Sequence, residues 1–180
     1  MSALIMGLSL AIALFWAVGA HNRLIRLRAE VVRQWGSVDA VWLRLLMRMQ
    51  AGIAARQSLF VEANADDFQS LQAACDALLD ALTQTRLQPL DVDSQKQVMM
   101  HHQKLITEIR FMLQIASETV KPDLEIALNR MRQTLPAALI PYHVAVAAYN
   151  DAVSMRPASW LARRLSLKLA MRIDLSMGAA

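Results

Sequence analysis

His21 to Gln50, HNRLIRLRAEVVRQWGSVDAVWLRLLMRMQ, is the stretch whose reading decides the fold. Its apolar residues Leu24, Val31, Trp35, Val38, Trp42, Leu45 and Met49 recur at steps of three, four or seven. Such steps follow the helical period of about 3.6 residues, so these side chains share one face and form a seam for another helix. No proline or turn cluster interrupts the chain before about Ala63, so one long helix is expected to that point, with Gly36 its one soft position.

Upstream, MSALIMGLSLAIALFWAVGA (residues 1–20) carries no ionisable side chain, and its length as a helix is about 30 Å, the thickness of a bilayer core. Leu4, Ile5, Leu8, Leu10, Ile12, Leu14 and Phe15 would face lipid, and Trp16 would lie near the headgroups. His21, Arg23, Arg26 and Arg28 follow at once. Positive charge after the span and none before it predicts a single-pass protein of the cytoplasmic (inner) membrane with the bulk of the chain in the cytoplasm. Val18 and Ala20 would also suit a cleaved signal peptide, but that reading lacks a basic leading region. A buried core helix would seldom run so far without a polar face.

The remainder is large enough for one domain with its own core, and the 180 residues are 56% hydrophobic with only 5 Gly and 5 Pro. No alternating β-branched runs stand out, so the fold class is all-α. A second helix is expected from an N-cap at Asp66, with Gln69 as its capping-box partner, along Phe68, Leu71, Cys75, Leu78, Leu79 and Leu82. Cys75 shares a face with leucines and reads as packing. After LQPLDVDS, a third helix capped by Ser94 carries Val98, Leu105, Ile109, Met112, Ala116 and Val120. A fourth starts with Pro122 in its first turn and passes Leu124, Leu128, Met131 and Leu135. Pro136 and Pro141 should bend or split it. Short loops make consecutive helices antiparallel, an up-down bundle of about four long helices continuing from the N-terminal span. The Trp35 and Trp42 seam would equally serve an intermolecular coiled coil.

Tyr142-His143 is answered seven residues on by Tyr149-Asn150, so the tyrosines project from one helical face, with Ala145 and Ala152 on the same stripe. Packing rings with hydroxyls reaching an edge group or water is the simpler reading, and a ligand-binding pair the sharper one. Beyond Pro157, ASWLARRLSLKLAMRIDL sets Trp160, Leu161, Leu165, Leu169 and Ile173 near one side and Arg163, Arg164, Lys168 and Arg172 elsewhere. This predicts a basic amphipathic helix at the membrane surface, or else a helix packed back on the bundle. The chain thus divides into an anchor (1–20), a bundle (21–156) and a tail (157–180).

Chemistry is sparse. His101 and His102 are helix neighbours that cannot chelate one ion together, and a solvated helix face is expected for them. Metal-protease, thiol-pair, phosphate-loop and nucleophile-elbow motifs are absent. Asp39 interrupts an apolar and basic helix, and either an interhelical partner or plain solvation would account for it.

Several of these residues together resemble the LemA family of bacterial membrane-anchored helical proteins. His21-Asn22, Leu27-Arg28, Trp35, Ser37, Asp39 and Arg44 follow the order of that family's first-helix series. KPDLE, with Pro122 and Asp123, is similar to its Tyr-Pro-Asp-Leu stretch, and Tyr142, Tyr149-Asn150 and Pro157 to its paired Tyr-Asn repeat before Phe-Pro. His21 replaces a Tyr, Arg156 replaces the Phe, and MRMQAGI and QTLPAALIP stand where other family motifs occur, so the chain would be a divergent member. The resemblance implies a cytoplasmic-membrane protein with an antiparallel helical domain and no established enzymatic activity.

The expected role is a non-catalytic scaffold with membrane lipid as partner, and a membrane protein or a second copy as further partners. No cofactor, metal or small-molecule substrate is expected. The net charge of +4 and ARRLSLKLAMR suggest nucleic-acid binding as the alternative. It ranks low, because only Trp160 interleaves an aromatic with the basic residues. An enzyme built from dispersed residues has no positive sign in the chain.

Overall fold

The computed structural model describes residues 2–55, 57–116, 118 and 120–175, with the side chains of 2, 3 and 57–65 outside that description. The described residues form five helices and no strand: α1 (Ser2–Ala55), α2 (Gln57–Leu87), α3 (Val92–Ile115), α4 (Lys121–Ser154) and α5 (Ala158–Arg164). The seam of α1 is buried along its whole length from Leu24 to Met49, together with the expected face of α4 and, apart from half-buried Leu79 and Ala116, those of α2 and α3. Upstream of Ala20 the large apolar side chains from Leu4 to Val18 are exposed: the most apolar window of α1 has a mean hydropathy of 1.9 and none of it is buried. α1 is therefore long and apolar enough to cross a membrane.

Some element boundaries differ from expectation. α1 is bounded at Ala55 and α2 at Gln57, with residue 56 outside the described residues, and Asp66 lies inside α2 rather than at its N-cap. ANADDF contains neither Gly nor Pro, and Asn or Asp costs a helix interior no more than about 0.7 kcal/mol each, too little to stop one. Ser94 is not the cap of α3. Asp91 is, its Oδ2 accepting from the backbone N and the Oγ of Ser94, both at 2.8 Å. The Ser94 backbone N–H, followed by its hydroxyl, holds the Asp91 carboxyl below the usual carboxylate range. α3 stops at Ile115, leaving Val120 outside it. α4 is not split: it runs through Pro136 and Pro141. Both prolines lie on its exposed face, where water can satisfy the carbonyls they release.

Interhelical pairs set the topology. Asp39 meets Arg86 and Gln50 meets Asp76, pairs that close about the same point of the chain, so α1 and α2 are antiparallel. Trp35 meets Tyr142 from α4 with the rings tilted by 60°, and Trp42 reaches His102 from α3 across the core. α1 packs closely on α4, and α2 on α3. The two pairs differ in reach. Arg86 is next to the end of α2, so the α2–α3 hairpin closes at the level of Asp39, whereas the last turn of α4 lies beside Ala20 and Leu24 of α1. About 20 Å of the α1–α4 pair thus extends beyond the hairpin.

The tail covers that extension, in a form the helical reading missed. α5 has only 7 residues, and after a turn at Ser166 (φ 53°) the chain leaves helix and runs extended to Leu175. Leu165, Leu167, Leu169, Met171, Ile173 and Leu175 alternate with Ser166, Lys168, Ala170, Arg172 and Asp174. That is a period of two, as in an extended segment, and burial follows it from Met171 to Leu175, whereas Leu165 and Leu169 are exposed and Ala170 is turned inward. Ala162, Ala170 and Ile173 join the core.

Candidate functional site

The extended strap is held by α4 through the doubled Tyr-His and Tyr-Asn. On a helix, seven residues advance about 10.5 Å, and three residues of extended chain advance about 10 Å. The two spacings match, and the hydrogen bonds follow that register. Tyr149 Oη donates to the Lys168 carbonyl at 2.9 Å, and Tyr142 Oη to that of Met171 at 2.8 Å. Beside them Asn150 bonds Ala170, and His143 Nε2 lies 2.9 Å from the Ile173 carbonyl. A carbonyl only accepts, so that ring nitrogen carries the proton. Asn150 serves both sides of its partner: Nδ2 donates to the Ala170 carbonyl and Oδ1 accepts from its N–H, each at 2.9 Å. The four side chains therefore read backbone, which explains why they are polar on an otherwise packed face.

Behind the strap lies a buried aromatic cluster. Trp35 is 5.9 Å from Trp42 and 5.7 Å from Tyr142, centroid to centroid. Trp42 Nε1 donates to His102 Nδ1 at 3.4 Å, and Gln95 Nε2 donates to Tyr142 Oη at 3.1 Å and to the Pro89 carbonyl at 2.7 Å. Gln95 thereby connects the hairpin loop to the strap through one hydroxyl. Burial depresses the His102 imidazole to about 4, so at neutral pH it is uncharged, with its proton on Nε2. Burial pushes the Tyr142 phenol up to about 12 against the opposing bond from Gln95, and raises Tyr149 against the pull of Arg28. Both phenols stay protonated and remain donors. The buried Cys75 thiol is driven to about 12 by desolvation, then by Asp76. These shifts move His102, Tyr142 and Cys75 away from the neutral range in which a general acid, base or nucleophile works best. Among the described residues no group of three or more His, Cys, Asp or Glu is placed to hold a metal.

Compared with family models, curated proteins and solved structures, the chain matches none.

Of the residues singled out by sequence, Trp35, Tyr142, Tyr149 and Asn150 come together around the strap, with Arg28 beside Tyr149. Asn22 is exposed and Leu27 half-buried. Pro122 and Asp123 start α4 at its opposite end, where Asp123 shares a surface cleft with Met49 and Ile53 of α1. Asp39 has an interhelical partner: it is 7% exposed and takes a two-pronged ion pair from Arg86, at 2.8 Å from Nε and 3.3 Å from Nη2. His102, expected on a solvated face, is 2% exposed. Arg23, Arg26, Trp160, Arg163, Arg164, Lys168 and Arg172 are exposed, but the strap carries Lys168 and Arg172 away from the apolar end of α1 instead of presenting them on a surface helix.

Sequence reasoning missed Gln95, His102, Arg86 and the receptor role of His143. Gln95 and His102 are themselves seven residues apart and fall on the stripe of Val98, Leu105 and Ile109. Polar residues in phase with a buried stripe were the available signal.

Proposed function

We propose that this chain is a single-pass, membrane-anchored helical-bundle protein that works without catalysis as a scaffold or interaction partner at the cytoplasmic membrane; the LemA family, which it resembles, has no established enzymatic activity. The observation that carries this reading is the asymmetry of α1. One uninterrupted helix is buried on its seam from Leu24 onward and has no buried residue along Leu4 to Val18. Ten large apolar side chains exposed between Leu4 and Val18 are costly in water, at about 25 cal/mol per Å² of apolar surface, and a bilayer removes that cost. Arg23, Arg26 and Arg28 at the boundary support a cytoplasmic bundle. The strap supports a scaffold role, because it locks the bundle's shape near the anchor with backbone bonds and leaves the outer faces of α2 and α3 to partners. Alkaline carbonate extraction tests the reading: the full chain should remain in the membrane pellet and dissolve only with detergent. Release by carbonate alone would reject it.

A further inference from the structure

Where α4 turns into α5, the chain parts from α1 to leave a cleft of about 360 Å³. Trp16, Gly19 and Ala20 form one wall and Met155 part of the other, and each wall contributes one arginine, Arg23 from α1 and Arg156 from the turn. Both arginines are exposed, and among the described residues neither has a carboxylate within ion-pair reach. Gly19 leaves its wall open: a Cβ there would meet no atom within 4 Å. Two permanent cations thus flank a cleft with apolar walls, at the point where α1 passes from a fully exposed apolar stretch to the packed bundle.

We infer that this cleft binds one anionic phospholipid, its phosphate between Arg23 and Arg156 and an acyl chain along Trp16 and Gly19. The inference rests on the membrane-anchor reading above. The occupant follows from charge and position together. Guanidinium forks match phosphate oxygens, and apolar walls facing the hydrocarbon side suit an acyl chain and not a free anion. The bound lipid bridges α1 to the α4–α5 turn, and so fastens the start of the strap to the bilayer.

Native mass spectrometry of the full chain in mild detergent, titrated with dioleoylphosphatidylglycerol or dioleoylphosphatidylcholine, tests this. The wild type should retain one phosphatidylglycerol in preference to phosphatidylcholine. Arg23→Gln with Arg156→Gln should lower that adduct about twenty-five-fold, since each basic residue near an anionic lipid contributes about a factor of five. Gly19→Leu, which fills the cleft without changing charge, should lower it too. Arg163→Gln with Arg164→Gln removes the same charge outside the cleft and should leave the adduct intact. An excess of inorganic phosphate should not displace the lipid. Equal retention of the two lipids, unchanged retention in the Arg23 and Arg156 double variant, an equal loss in the Arg163 and Arg164 variant, or displacement by phosphate each overturns the inference. Carbonate extraction of the same full chain separates the two claims: release from membranes sinks the anchor reading, whereas retention with any of those outcomes sinks the cleft alone.

Discussion

Asn150 and Ala170 are joined by two 2.9 Å hydrogen bonds, so one side-chain amide satisfies both polar groups of a residue twenty positions away. Ala170 is buried, and without Asn150 its N–H and carbonyl would have no partner on that side. Asn150→Ala should therefore loosen the strap by about 1–3 kcal/mol, which hydrogen exchange reads as a loss of protection of about 5- to 150-fold across residues 167–173. Asn150→Asp keeps the acceptor but sets a carboxylate oxygen against the Ala170 carbonyl, and should loosen the strap at least as much as Asn150→Ala. Tyr142→Phe should cost more than Tyr149→Phe, because the Tyr142 hydroxyl serves Gln95 as well as Met171. Unchanged protection of the strap in Asn150→Ala would show that apolar burial alone holds it.

The neutral, buried His102 makes stability depend on pH. Its pKa falls from 6.5 to about 4 on folding, so the unfolded chain takes up the proton first as pH drops. The stabilisation is complete above pH 6.5 and is lost as pH falls through that window toward 4, a change of about 3 kcal/mol. Thermal unfolding of the full chain in detergent should show a steeper decline over that window for the wild type than for His102→Phe. Parallel curves would mean that His102 is not desolvated.

Asp39 and Arg86 are unequal partners. The Asp39 side chain is 10% exposed and that of Arg86 42%. Arg86→Ala leaves a nearly buried carboxylate alone and should cost about 2 kcal/mol or more, whereas Asp39→Ala leaves a cation that can turn to water and should cost about 1. Adding Asp39→Asn to Arg86→Ala should recover part of the loss. A double-mutant cycle by urea unfolding measures this, and equal single-variant costs would contradict the asymmetry.

How far the chain can be read by eye follows from the range of each interaction. The seam of α1 was legible because burial imposes a local period that residues such as Val31, Trp35 and Trp42 display directly. The partner of Asp39 was not, since Arg86 lies 47 residues away and nothing local marks it. Asp66 was misread because a capping residue without Gly or Pro is equally tolerated inside a helix. The tail was ambiguous in a specific way: Leu161, Leu165, Leu169 and Ile173 satisfy a helical period, while the residues from Leu165 to Leu175 also alternate. What decided between them was the register of Tyr142 and Tyr149, which lies outside the tail. The seven-residue repeat was visible; that it measured three residues of extended chain was not.

Cysteine labelling tests the central claim, that the apolar end of α1 sits in a bilayer with the bundle outside it. Cys75 is buried with its thiol pushed up to about 12, so an introduced cysteine reports alone. Leu8→Cys lies in the exposed apolar stretch, and Gln103→Cys on the outer face of α3. In sealed vesicles treated with a membrane-impermeant maleimide, the account predicts that Gln103→Cys reacts only from the cytoplasmic side and Leu8→Cys from neither side until detergent dissolves the bilayer. Reaction of Leu8→Cys in intact vesicles at the rate of Gln103→Cys would contradict it.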